Sequence, residues 1–145
     1  MPYTIRPATR ADQATIRGMI REAGINPMSL KWPSFLVAEE GGAIVGVGQV
    51  KVHGDGSREL ASMAVTPARQ GEGIGSAIVN ALIAGQGDRV LHLTCRRETQ
   101  AYYERFGFRR LDRADYPPYF ARFLPLVNAF ARLARTQIVV MRRPG

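Results

Sequence analysis

The sequence predicts a mixed α/β fold: a mostly antiparallel central sheet with flanking helices, in one domain covering residues 1–145. Three observations predict it. Short apolar runs joined by tight turns, between Ser34 and Val65, read as three consecutive strands of an antiparallel meander. A glycine-rich turn at 71–75 then opens an amphipathic run from Ile74 to Ala84. Beyond it, strand and helix patterns alternate to the end of the chain, which marks a mixed sheet.

Taken in order, Tyr3 to Arg6 is the first strand. Asp12 is placed to cap a helix in which Ile16, Met19, Ile20 and Ala23 recur at helical spacing. Gly24 to Pro33 is rich in turn formers and reads as loop with one helical turn. Ser34 to Glu39 and Ala43 to His53 are strands joined by the turn Glu40-Gly41-Gly42. The turn His53-Gly54-Asp55-Gly56 leads to the strand Glu59 to Val65. Ile74, Ile78, Ala81 and Leu82 mark the buried stripe of the next helix, which Gly85 to Asp88 ends. Val90 to Cys95 is a buried strand, and Thr99 to Arg105 a short helix stopped by Gly107. Phe108 to Leu111 and Thr136 to Arg142 are the last strands.

Between those two strands lies an extra apolar helical insertion, Asp112 to Arg135. Pro117 and Pro125 each suit the first turn of a helix, which predicts two helical pieces. Tyr119, Phe120, Phe123, Leu126, Val127 and Phe130 need cover. The insertion therefore caps the core, walls an acceptor pocket or forms a homodimer surface.

Composition narrows the function. Hydrophobic residues at 46% and charged residues at 22% are those of a globular protein. No apolar run reaches the ~20 residues of a membrane span. No long apolar segment follows Met-Pro-Tyr-Thr-Ile-Arg, so no signal peptide is expected. A single cysteine, Cys95, excludes an internal disulfide, and with two well-separated histidines no metal site is indicated. A cytoplasmic protein is the simplest reading. The net charge of +8 is scattered, with no long basic tail. The absence of a clustered basic helix or an exposed-aromatic sheet motif argues against nucleic acid as the partner. An anionic cofactor accounts for part of the charge.

The chemistry points to residues 65–76, Val-Thr-Pro-Ala-Arg-Gln-Gly-Glu-Gly-Ile-Gly-Ser. A strand ending in such a turn presents free backbone N–H groups at the positive end of a helix dipole, which suits a pyrophosphate. Gly71, Gly73 and Gly75 let the backbone approach a ligand. The spacing differs from a Rossmann G-x-G-x-x-G, and no Gly-Lys-Ser/Thr follows as in a P-loop. Val65-x-Pro67 followed by Gln70-x-x-Gly73-x-Gly75 resembles the acyl-coenzyme A loop of the GNAT superfamily of N-acetyltransferases. Ala101-Tyr102-Tyr103-Glu104-Arg105-Phe106-Gly107-Phe108 resembles that family's F-Y-E-x-x-G-F signature.

The resemblance covers essentially the whole chain and implies the GNAT fold and acetyl-CoA as cosubstrate. It implies that Met63, Ala64 and Val65 offer backbone to the pantetheine. It also implies that Gln70, Gly71, Glu72, Gly73, Ile74, Gly75 and Ser76 hold the pyrophosphate. Tyr103 matches the family tyrosine that often protonates the departing thiolate; otherwise it is a core aromatic. Glu59 stands where histone-type members carry a catalytic glutamate, and strand alternation puts it on the face of Ala61, Met63 and Val65. It is read either as the general base or as a solvated strand-end charge. Glu39 and Glu40 are weaker bases because they abut a Gly-Gly turn. His92 reads as a hydrogen-bonded strand histidine, His53 as surface, and Cys95 as a small buried apolar residue.

Two departures are visible. Position 72 is Glu where the family often has Arg or Lys, so its side chain must point away from phosphate. Arg96-Arg97-Glu98-Thr99-Gln100 lacks the Asn that many members carry there, leaving Arg69 or Arg96 as candidates to meet phosphates. The resemblance implies direct acetyl transfer to a primary amine, on a small molecule or a protein. The alternatives are a non-catalytic acyl-CoA-binding or sensing module and, from a different class, a basic nucleic-acid-binding protein.

Overall fold

In the computed structural model, which describes residues 2–145, strand β1 (Thr4–Pro7) pairs antiparallel with β2 (Phe35–Glu40), and β2 with β3 (Ala43–Val52). The remaining strands are β4 (Arg58–Val65), β5 (Leu91–Arg96), β6 (Arg109–Arg110) and β7 (Ile138–Arg143). Hydrogen bonding orders them β1-β2-β3-β4-β5-β7-β6. β4 and β5 run parallel; β5 and β6 each pair antiparallel with β7. The sheet is therefore mixed and mostly antiparallel. Its helices are α1 (Gln13–Glu22), α2 (Ile74–Gly85), α3 (Gln100–Glu104) and α4 (Pro118–Ala131).

The chain divides into two compact units. The first runs up to Lys51 and includes Leu60–Gln86. Its core gathers Ile16 and Ile20 of α1, Phe35 and Val37 of β2, Val47 of β3 and Ala64 of β4. α2 lies close on β3 because β3 carries Gly46 and Gly48 there. A Cβ at Gly46 would stand 2.9 Å from both Ile74 Cγ2 and Ile78 Cδ1. Asp12 differs from its expected role. Its carboxylate accepts the Thr9 N–H at 2.7 Å and pairs with Arg6 at 2.8 Å, so it stabilises the 3-10 turn Arg10–Asp12 ahead of α1.

The second unit comprises Val52–Glu59 and Gly87–Gly145. Its core packs Phe120 and Leu124 of α4 against Val140 of β7 and Leu111. The insertion departs from the two expected helical pieces: α4 is one helix with Pro125 inside it. Proline removes the bond to the carbonyl four residues back. Ala121 and Pro125 are both exposed, so water can satisfy that carbonyl, while buried Phe120 and Leu124 hold the helix on the sheet. Two further expectations shrink: β6 covers only Arg109–Arg110, and the helix expected at Thr99 opens with a 3-10 turn over Arg97–Thr99.

Candidate active site

In the first unit, β4 ends at Val65 and a 3-10 turn (Pro67–Arg69) carries the chain into the glycine loop. Gly71 and Gly73 have φ of +82° and +85°, and Gly73 is the N-cap of α2. A side chain at either would meet nothing within 4 Å, so the left-handed backbone, not crowding, demands glycine there. The first i→i−4 bond of α2 closes Ala77 N–H onto the Gly73 carbonyl at 3.0 Å. The amides of Gly73, Ile74 and Gly75 precede it and point out of the helix start, where the dipole is positive. Gln70 folds back on the Val65 carbonyl at 3.2 Å. Arg69 grips both Glu40 oxygens, at 2.9 and 3.0 Å, and Glu72 at 2.9 Å. Its charge is thus already matched by two carboxylates, and the Glu72 side chain is drawn toward it.

Met63, Ala64 and Val65 form the last turn-ward stretch of β4. Just before them Ser62 has φ +57°, a left-handed residue inside a strand. Buried Gln49 pins it, donating to Ser62 Oγ at 2.8 Å and to the Ser29 carbonyl at 3.2 Å. The parallel register of β4 is a single pair, Glu59 with His92.

In the second unit, the tip of the β3–β4 hairpin builds a polar cluster. His53 Nε2 and Glu59 Oε1 are 2.7 Å apart, with side chains only 10% and 11% exposed. His53 is therefore not a surface residue: the hairpin folds it inward against Glu59, and the Tyr119 ring stacks on it with centroids 3.4 Å apart and planes at 12°. Nor is Glu59 a solvated strand-end charge, being 8% exposed as a residue. Asp55 accepts from Ser57 N–H, Ser57 Oγ and Tyr119 N–H at 2.9, 2.6 and 2.9 Å. Tyr119 is in the first turn of α4, so Asp55 caps that helix from 64 positions away. These bonds hold the Asp55 carboxyl down at about 2. His92 is buried beside Phe120 at 5.6 Å, and its Nδ1 has no partner among the described residues. Burial, then the Arg142 charge, lowers its pKa.

Tyr103 lies on α3 among Tyr102, Phe106 and Phe108, with ring centroids 5.0, 6.5 and 6.2 Å away. Burial is the main reason its phenol is pushed up to about 12. Burial likewise raises the Cys95 thiol to about 11 and leaves it a poor nucleophile. Among the described residues no group of three or more His, Cys, Asp or Glu is arranged to hold a metal ion. A cleft of about 550 Å³ in the second unit is lined by Arg97, Arg110, Arg113 and Arg132 and by one carboxylate, Asp112, with Tyr116 and Leu124. Sequence reasoning missed this convergence because the four arginines are dispersed over 97–132. It also missed the His53–Glu59 pair, for which the six-residue spacing across a tight turn was the available signal.

A glycine loop opening α2 after a strand with a left-handed break is the geometry for a pyrophosphate-bearing cofactor. Residues 31–110 match the family described as an acetyltransferase (GNAT) domain. The chain belongs to the GNAT acetyltransferase family. Solved structures of low identity share the GNAT fold. Rv2747 from Mycobacterium tuberculosis, solved with CoA, is 23% identical with a TM-score of 0.74, over 98% of this chain and 99% of that one. The N-acetylglutamate synthase of Neisseria gonorrhoeae, solved with coenzyme A and N-acetyl-glutamate, is 21% identical with a TM-score of 0.75. The match covers 99% of this chain but only 35% of the synthase. The ribosomal-protein-S18-alanine N-acetyltransferase of Escherichia coli is 20% identical with a TM-score of 0.69, over 99% and 94%. A comparison with curated proteins finds no match. As a member of this family the chain is an acetyltransferase domain. No described helix is long and apolar enough to cross a membrane.

Proposed function

We propose that residues 1–145 act as one cytoplasmic N-acetyltransferase that passes acetyl from acetyl-CoA to a primary amine by direct attack. The left-handed Gly73 cap at the start of α2 carries this reading, because it aims amides where a pyrophosphate binds. Gln70, Gly71, Glu72, Gly73, Ile74, Gly75 and Ser76 hold the phosphates chiefly through backbone. Met63, Ala64 and Val65 supply peptide groups to the pantetheine arm and to the thioester carbonyl. Tyr103 protonates the leaving thiolate, and Glu59 serves deprotonation of the acceptor. Burial pushes the Tyr103 phenol up to about 12, so it holds its proton at neutral pH but is a weaker acid than a free phenol.

Among amines, the arginine-lined cleft favours a small acceptor bearing a carboxylate, since guanidinium forks suit that group. The neisserial synthase, whose structure holds N-acetyl-glutamate, is consistent with that class. Exposed Leu126, Phe130 and Leu133 on the insertion support a homodimer, which mass in solution checks. The deciding experiment measures thiol release from acetyl-CoA with L-glutamate, spermidine and an alanine-starting peptide as acceptors. Acetylated glutamate as the main product is expected. Tight acetyl-CoA binding without thiol release for any acceptor would instead establish a sensing module.

A further inference from the structure

The cleft of about 550 Å³ in the second unit has walls that the chain itself ties together. Asn128 of α4 donates to the Ile138 carbonyl at 3.2 Å and accepts the Ile138 N–H at 2.8 Å, which fastens the helix to the start of β7. The Arg97 N–H donates to the Gln137 carbonyl at 2.9 Å, and the Leu111 N–H to the Val140 carbonyl at 2.8 Å. These bonds fasten two further walls to β7 and the residue before it. Arg135 takes a left-handed φ of +56°, a conformation unfavourable for a residue with a Cβ. It ends the helical run, closes the Thr136 N–H onto the Ala131 carbonyl at 3.2 Å and brings Thr136 and Gln137 into the lining. Walls held this way lose little entropy on binding. The charge of the cleft is uneven. Arg110, Arg113 and Arg132 make no hydrogen bond or ion pair among the described residues. Arg97 lies 3.9 Å from Glu98 and donates to the Arg135 carbonyl at 3.5 Å. Three unpaired guanidiniums against the single carboxylate of Asp112 leave an excess of two positive charges. Part of the lining is apolar: Leu111 and Leu124 are buried, and Tyr116 is half-buried against the same cluster.

We propose that this cleft binds a small organic dianion through Arg110, Arg113 and Arg132, with the apolar part of the ligand against Leu124 and Tyr116. A ligand of two negative charges balances the excess. Guanidinium forks take a carboxylate or a phosphate equally well, in pairs of hydrogen bonds. The volume lies within the range of small-molecule sites, about 300–1,000 Å³, so a lone oxoanion leaves most of it to water. The site is contained in the second unit and does not rest on the acetyl-transfer reading. It goes beyond the carboxylate preference named there by requiring a second negative charge and an apolar part.

Calorimetry on the full chain without acetyl-CoA tests this with glutarate, phenyl phosphate, pentanoate and inorganic phosphate, at about pH 7.5, where the first two are dianions. Glutarate or phenyl phosphate should bind about tenfold or more tightly than both controls. Pentanoate keeps the carbon chain of glutarate with one charge, and inorganic phosphate keeps the charge with no apolar part. A lead for glutarate identifies a dicarboxylate as the ligand, and a lead for phenyl phosphate a phosphate monoester. Arg113→Gln and Arg132→Gln should each weaken the better probe about tenfold, the loss of one charge-assisted hydrogen bond. Arg113→Lys should recover only part of that, because an ammonium lacks the fork. Arg122→Gln removes the same charge from α4 outside the cleft lining, and it should leave affinity within about twofold. In ¹H–¹⁵N spectra the better probe should shift the amides of Arg113, Asn128 and Gln137. Equal affinity for all four probes, no binding at millimolar concentration, or a loss in Arg122→Gln as large as in the two cleft variants would overturn the proposal. None of these outcomes touches acetyl transfer, which thiol release reads separately.

Discussion

Tyr103 illustrates how burial sets a residue's chemistry. Its phenol is pushed up to about 12 from the usual 10.0, so it stays protonated at neutral pH and parts with its proton less readily than an exposed tyrosine. Tyr103→Phe keeps the ring packed against Tyr102 and Phe108 and deletes one hydroxyl. Turnover should fall by roughly 10²-fold or more with little change in KM for acetyl-CoA, if measured under conditions where chemistry limits the rate. Unchanged turnover would make Tyr103 a packing residue. His92 gives the opposite sign. Its folded pKa lies below 6.5, so the unfolded chain binds the extra proton first as pH drops, and stability declines below 6.5. Asp55 adds a second acid step: held at about 2 against 3.8 unfolded, it is fully stabilising above 3.8 and loses that contribution between 3.8 and 2. Denaturant melts across pH should show both slopes, and His92→Leu should flatten only the upper one. The roles of Gly73 and Tyr103 could be suggested from local motifs. Those of His53 and Asp55 could not, because Tyr119, which stacks on one and is capped by the other, lies more than 60 positions away.

Elements decide where these residues stand. α2 can present its N-terminus only because Gly46 and Gly48 let it sit down on β3. Gly46→Val should lift the helix, lowering both the melting temperature and acetyl-CoA affinity in calorimetry. Gly73→Pro acts more directly: proline fixes φ near −65° against the +85° found here, and it deletes an amide, so cofactor binding should be lost. If calorimetry shows normal binding, the phosphate site lies elsewhere. In α4, Tyr119 and Phe120 are adjacent yet separable. Phe120 is fully buried, so Phe120→Ala should cost about 3–5 kcal/mol of stability. Tyr119→Ala removes a half-buried ring from the edge of that core and the stack on His53, so it should cost less stability than Phe120→Ala and change acceptor kinetics more than acetyl-CoA affinity. Strand and helix identities were legible because their apolar periods are local. The single α4 was not, since whether Pro125 starts a helix or is carried inside one depends on the buried Phe120 and Leu124 beside it.

At the scale of the whole molecule, charge is the property that sequence reads directly and structure then distributes. Arg6 and Arg69 are each bound to two carboxylates, so the basic excess behind the net +8 lies elsewhere, with four arginines lining one cleft. A polyanionic cosubstrate approaching such a surface is attracted over distances set by screening, about 10 Å at 0.1 M salt and 3 Å at 1 M. Acetyl-CoA association should therefore slow as salt rises, with dissociation changing less, in stopped-flow measurements. Salt-independent association would mean that the excess charge faces something else. The fold class and the family were legible because a strand, a glycine turn and a helix in sequence already specify a local machine. The acceptor was not, because it is recognised by side chains that only tertiary structure assembles.

The double grip of Arg69 on Glu40 and Glu72 has a consequence for the thermodynamics of recognition. It ties the glycine loop to the end of β2 before any cofactor arrives, so the loop's conformational entropy is lost on folding and not again on association. Preorganisation of this kind raises affinity without adding a contact. Arg69→Ala removes no phosphate ligand, yet it should weaken acetyl-CoA binding, with the deficit appearing as a less favourable entropy at nearly constant enthalpy. A loss carried by enthalpy would instead mean that the guanidinium itself reaches the cofactor.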